Sequence, residues 1–148
     1  MNKSVTAASL IMEHHANCAQ SVLSVFCKEL GLDRNKALKV AMGFGGGMGR
    51  TGNTCGAVTG AYMVLGLAQK ILPGNPRESI DRTYELVREF NQKFKALHGS
   101  VTCKELIGYD LGTQEGLAEA RDKKVFASIC SNLVRDSVMI LETMLQSS

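Results

Sequence analysis

The stretch that decides the fold is GFGGGMGRTGNTCGAVTGAYMVLGLAQKIL, residues 43–72. Its first half carries glycine at 43, 45, 46, 47, 49, 52 and 56, and its second half turns abruptly apolar. From about residue 53 to residue 72 the pattern is that of a helix apolar on nearly all sides, and such a helix belongs in a core. Gly56, Ala57, Gly60 and Ala61 would let neighbouring helices approach closely, despite the propensity cost of glycine inside a helix.

The glycine run raises a phosphate-binding reading, which it fails. Gly47-Met48-Gly49-Arg50-Thr51-Gly52 satisfies G-x-G-x-x-G, but that fingerprint needs a preceding strand and an acidic residue about 20 positions on. A helical pattern precedes it, and the region around Leu72 has no carboxylate. The nearest Walker spelling, Gly47 to Thr54, has Asn53 where the phosphate-binding lysine would stand. The other reading is that Gly45, Gly46, Gly47, Gly49 and Gly56 bring backbone N–H groups close to a reacting group or cofactor. They would deliver Cys55 to a helix N-terminus, where free N–H groups and the macrodipole favour a thiolate.

Working outward, residues 4–30 read as one long helix, with Ile11, His15, Cys18, Val22 and Val25 at three- and four-residue steps. Gly31 is placed to end it and Asp33 to cap a second helix, 33–44. Asn75-Pro76 caps a long helix to about Leu97, with a stripe of Ile80, Tyr84, Val87, Phe94 and Leu97. Thr102 and Glu105 fit a capping box opening a short helix at Cys103. After a polar connection of about two helical turns, a last helix near 128–145 presents Cys130, Val134, Val138, Leu141 and Leu145 on one face. No period-two alternation occurs. The expected fold is all-α, a single domain over 1–148 forming a helical bundle of about five to six helices around the buried central helix 53–72.

Composition bounds the rest. In 148 residues with 45% hydrophobic and 21% charged, the chain matches an ordinary globule. A net charge of +3, 5% aromatic residues and no Trp give no footing for nucleic acid. The first residues lack the apolar segment of a signal peptide, and a cytoplasmic location is expected. In that reducing setting five cysteines, at 18, 27, 55, 103 and 130, do not read as a disulfide framework. No C-x-x-C or zinc-knuckle spacing occurs, so the cysteines can meet only through the fold. Cys27 reads as a buried hydrophobe. His14 and His15 precede Cys18 by one helical turn, and either could serve it as proton acceptor or ligand. His98, before Gly99, reads as a helix C-terminal residue favoured by the dipole, with Cys103 as a contact to test.

These motifs resemble the C_GCAxxG_C_C family, small helical proteins with four characteristic cysteines. The likeness runs from NCAQSVL around Cys18, through the glycine stretch and Cys55-Gly56-Ala57-Val58-Thr59-Gly60, to CKELIGYDL at Cys103 and CSNLVRD at Cys130. Cys27 stands outside it. The resemblance implies redox activity, genes often near those of membrane transporters, and, through a related cytochrome domain, an iron–sulfur option. No C-x-x-C-H is present, so covalent haem attachment does not carry over.

Two chemistries and a binding role follow. In the first, Cys55 is the activated thiol of a thiol–disulfide oxidoreductase and another family cysteine, Cys18 or Cys103 before Cys130, resolves it, with a redox partner protein or a small thiol as substrate. In the second, Cys18, Cys55, Cys103 and Cys130 hold a metal ion or iron–sulfur cluster for electron transfer. In the third, the chain is a non-catalytic helical module docking on a transporter or on a second copy as a homodimer.

Overall fold

A computed structural model describes residues 2–146, and all its regular structure is helical. The elements are α1 (Lys3–Met12), α2 (Cys18–Ser24), α3 (Arg34–Ala41), α4 (Gly45–Met48), α5 (Gly56–Leu67), α6 (Pro76–His98), α7 (Cys103–Ile107), α8 (Gln114–Asp122) and α9 (Val125–Gln146). A 3₁₀ turn over Met42–Phe44 joins α3 to α4. The all-α expectation holds, with more and shorter helices than the five to six expected. Among the described residues no helix is long and apolar enough to cross a membrane.

The expected central helix is α5, shorter at both ends than 53–72. Its Ala57, Val58, Ala61, Val64 and Leu65 are fully buried, and it packs against α2, α6 and α9. The small residues act as expected: a Cβ built on Gly60 would lie 2.9 Å from the Ala19 carbonyl oxygen of α2. α1 lies along α9, so the first and last helices close the bundle.

The expected helix 4–30 is instead two helices. Asn17 accepts from the Gln20 N–H at 2.9 Å, and the Gln20 side chain accepts from the Asn17 N–H at 3.0 Å. This reciprocal box starts a new helix at Cys18, an arrangement of the kind worth about 1 kcal/mol. His14, at φ 60, makes the break before it.

On α6 the expected stripe is displaced. Leu86, Phe90 and Phe94 are buried, Val87 packs against the core, and Ile80, Tyr84 and Leu97 are exposed. Length explains it: 23 residues of α6 span about 34 Å against about 18 Å for the 12 of α5, so its ends overhang. Phe90 stacks on Phe94 with centroids 5.7 Å apart and meets Tyr62 edge-on, which fixes α6 to α5.

Candidate functional site

Two chain segments are zipped together at the site. Thr54 and Thr102 form an isolated antiparallel bridge. The Cys55 N–H donates to the Val101 carbonyl at 2.8 Å, and the Cys103 N–H donates to the Asn53 carbonyl at 2.7 Å. Residues 55 and 103 therefore sit on one face of this short ladder. Cys55 is the N-cap of α5 and Cys103 the first residue of α7. The capping box expected at Thr102 does not form; Thr102 makes no side-chain cap, and the first amides of α7, at Cys103 and Lys104, bond the Asn53 and Gly52 carbonyls instead.

The glycine run is a turn of left-handed helix. Residues 46 to 50 have φ of 66, 70, 71, 66 and 65 in succession. L-residues with a Cβ disfavour this region by roughly 1–2 kcal/mol each, so glycine at 46, 47 and 49 makes the turn accessible. The amides at and after its end turn back onto it: Gly49 and Arg50 N–H bond Gly45 O, Gly52 N–H bonds Gly46 O, and Asn53 N–H bonds Gly47 O. That leaves these groups unavailable to cradle a phosphate. The glycines instead make room for sulfur. A Cβ on Gly47 would lie 2.7 Å from the Cys103 Cβ, and one on Gly56 would lie 2.9 Å from the Cys18 Cβ.

Cys18 opens α2 beneath the Asn17 cap, and Cys130 projects from the second turn of α9. Ser137, fully buried on α9, donates to the Ala57 carbonyl of α5 at 2.7 Å and so fixes the helix of Cys130 against that of Cys55. All four cysteines face one cavity of about 470 Å³. The five expected glycines, 45, 46, 47, 49 and 56, also line it. Ile11, Ile107, Leu111, Phe126 and Leu133 form apolar wall, while the exposed residues His14, Met42 and Arg50 stand at its mouth. Each of the four cysteines is at most 8% exposed, so a reactant meets them inside the cavity.

The electrostatics reverse the expectation for Cys55. Burial pushes its thiol up from an ordinary 9.0 to about 12, outweighing the Ala57 and Val58 N–H groups that favour the thiolate. The helix N-terminus acts as expected, but desolvation of a charge in an apolar wall is the larger effect. Burial, then the charge of Cys130, raises Cys103 to about 11. Cys130 goes the other way. The neighbouring Cys18 thiol lowers Cys130 below its ordinary value against the effect of burial, while Cys130 and burial raise Cys18 well above it. Cys18 and Cys130 are thus an interacting thiol pair, in which one sulfur can carry charge with the other as its proton donor.

The other candidates lie apart from this chemistry. Cys27 is fully buried and donates to the Ser24 carbonyl at 3.3 Å, as a structural residue does. His15 is exposed, with Nε2 3.5 Å from the Glu13 carboxylate. The break before α2 takes His14 off the helix of Cys18, yet His14 reaches the mouth of the same cavity. His98 stacks on Phe94 and places Nε2 3.0 Å from Asp136 Oδ2 of α9, not at Cys103. Among the described residues no three His, Cys, Asp or Glu side chains converge closely enough to hold a metal ion. The four sulfurs share a wall without forming a ready ligand set.

Sequence reasoning missed Asn17 and Arg50. Asn17-x-x-Gln20 has the spacing of a capping box and could have been found. Arg50 lay unnoticed among glycines.

No solved structure matches the chain. A protein of Archaeoglobus fulgidus, described only as uncharacterized, is 29% identical over 103 residues, which cover 65% of this chain and 68% of its own length. The model of the family described as "Putative redox-active protein (C_GCAxxG_C_C)" matches residues 16–144, a span holding all four cavity cysteines, and the chain belongs to that family.

Proposed function

We propose that the chain is a dithiol redox protein in which Cys130 is the attacking sulfur, Cys18 resolves, and the substrate is a small disulfide or thiol admitted to the cavity. The observation that carries this reading is that Cys18 and Cys130, buried thiols near enough to shift one another's acidity, share the wall of a cavity large enough for a small molecule. Thiol–disulfide exchange needs a thiolate, access and a partner thiol, and this pair supplies the first and third beside a cavity that supplies the second. The Cys130 thiolate attacks one sulfur of the substrate disulfide, forming a mixed disulfide and releasing the other half as a thiolate that takes up a proton. Cys18 then loses its proton and attacks the Cys130 sulfur, breaking the mixed disulfide. Two electrons and two protons pass from the dithiol to the substrate, which leaves as two thiols. Cys55 and Cys103, held protonated at neutral pH, line the wall beside this pair.

The reading built on Cys55 is replaced because burial works against its thiolate. The metal and iron–sulfur reading has the shared cavity in its favour and the unconverged ligand set against it, so no step is routed through a metal.

Trapping tests the assignment. Cys18→Ser, treated with a small disulfide, should accumulate a mixed disulfide on Cys130, seen as an adduct of one substrate half in peptide mass mapping. Cys130→Ser should form no adduct at Cys18. An adduct that settles on Cys55 in the Cys18→Ser protein would overturn the assignment.

A further inference from the structure

The cavity has one permanently charged side chain on its wall, and it is a cation. Of the described residues lining the space, Arg50 alone carries a fixed charge; none is Asp or Glu. Arg50 makes no ion pair among the described residues, and the nearby Asp110 carboxylate pairs with Lys104 at 3.8 Å. Its stem lies against the turn. A Cβ on Gly46 would lie 2.8 Å from the Arg50 Cγ and 3.5 Å from Leu111 Cδ1, so the stem covers Gly46 beside an apolar wall residue.

The backbone adds a second observation. Arg50 sits at φ 65, in the left-handed turn otherwise built largely of glycine. A side chain there costs about 1 kcal/mol or more that glycine would avoid. An exposed arginine at a cavity mouth, in a strained backbone conformation and without an ion-pair partner among the described residues, is placed to meet an anion from solution. Guanidinium recognises carboxylate by paired N–H···O bonds. The apolar wall of Ile107, Leu111 and Leu133 suits a short hydrocarbon chain between such a carboxylate and a sulfur.

We propose that Arg50 selects for a small carboxylate-bearing disulfide, or the corresponding thiol in the reverse direction, as the molecule this cavity takes. The inference rests on the dithiol reading for the chemistry, while the anion preference rests on Arg50 alone. In the exchange the dianionic disulfide is reduced to two thiol carboxylates as Cys18 and Cys130 are oxidised to a disulfide. Each carboxylate keeps its charge throughout and takes no part in the electron transfer.

Two probes separate these elements. Reduced full-length protein is mixed with dithiodipropionate, which carries two carboxylates, or with cystamine, which carries two ammonium groups. Each rate of thiol loss is divided by that disulfide's rate with free dithiothreitol. The native protein should favour dithiodipropionate by about tenfold, Arg50→Lys, which keeps the charge but not the paired N–H groups, should keep part of that preference, and Arg50→Gly, which suits φ 65, should abolish it. Adipate, a similarly sized dicarboxylate without sulfur, should bind the native protein at least about tenfold more tightly than Arg50→Gly in calorimetry. Thiol loss with no charge preference and no adipate binding would overturn the role of Arg50 and leave the dithiol reading standing. Adipate binding without thiol loss would instead overturn the disulfide as substrate, and with it the dithiol reading.

Discussion

Gly47 and Cys103 are so close that a Cβ on the glycine would lie 2.7 Å from the Cβ of the cysteine. The left-handed turn and the wall of thiols are thus one packing unit, and the glycine run exists where sulfur needs its room. Gly49, in the same turn at φ 66, has open space where its Cβ would be. The pair separates strain from crowding. Gly49→Ala should cost about 1 kcal/mol, from the left-handed backbone alone. Gly47→Ala should cost about 2 kcal/mol more, since Cys103 and the Asn53 backbone must shift. Urea unfolding midpoints check both, and equal losses would contradict the crowding.

The dithiol reading makes the acidity of Cys130 depend on a donor from Cys18. Cys18→Ala removes that donor, so the pH profile of Cys130 alkylation should move to higher pH, whereas Cys18→Ser keeps a hydroxyl donor and should move it less. Iodoacetamide labelling with peptide mapping measures this directly, with Cys130 expected to label before Cys55 and Cys103 in the native protein. Labelling of Cys55 first would contradict the burial argument.

The raised thiols make stability fall in alkali. Below about pH 8 Cys55 and Cys103 are protonated in both folded and unfolded chains, and their full contribution is present. As pH rises past about 9, the unfolded chain gives up these protons while the folded chain, at about 12 and about 11, keeps them. The unfolded state then binds fewer protons, so stability declines with rising pH. Urea midpoints between about pH 8 and pH 10.5 should decline less steeply in the Cys55→Ala, Cys103→Ala double variant than in the native protein.

Ser137 ties the helix of Cys130 to the helix of Cys55 through the Ala57 carbonyl. Ser137→Ala should cost about 1 kcal/mol in urea unfolding. If the tie also positions Cys130, the rate of Cys130 alkylation should change as well.

Much of this arrangement was legible in the chain. The all-apolar pattern of α5, the Asp33 and Asn75-Pro76 caps and the inward face of Cys130 follow from local periodicity and capping, which act over a few residues. The four cysteines grouped by their motifs line one cavity, and Cys27 lies outside it. What escaped was set by tertiary structure. The break before Cys18 is reinforced by Asn17 and Gln20 reaching the Met42 and Leu38 carbonyls. The amides that a Thr102 cap would serve are met by the Asn53 and Gly52 carbonyls of a distant segment, and its side chain forms no local cap. The acidity order of the thiols escaped for the same reason. A helix N-terminus can be read locally, but the desolvation that outweighs it at Cys55 comes from several helices at once.

The most direct measurement is a thiol and disulfide map of protein purified without oxygen, taken before and after one equivalent of a small disulfide, alongside iron and acid-labile sulfide. The dithiol reading predicts five free thiols before oxidation, three after it, and one disulfide joining Cys18 to Cys130. Stoichiometric iron and sulfide with four thiols shielded, or a disulfide that joins Cys55 to Cys103 while Cys18 and Cys130 stay free, would contradict it.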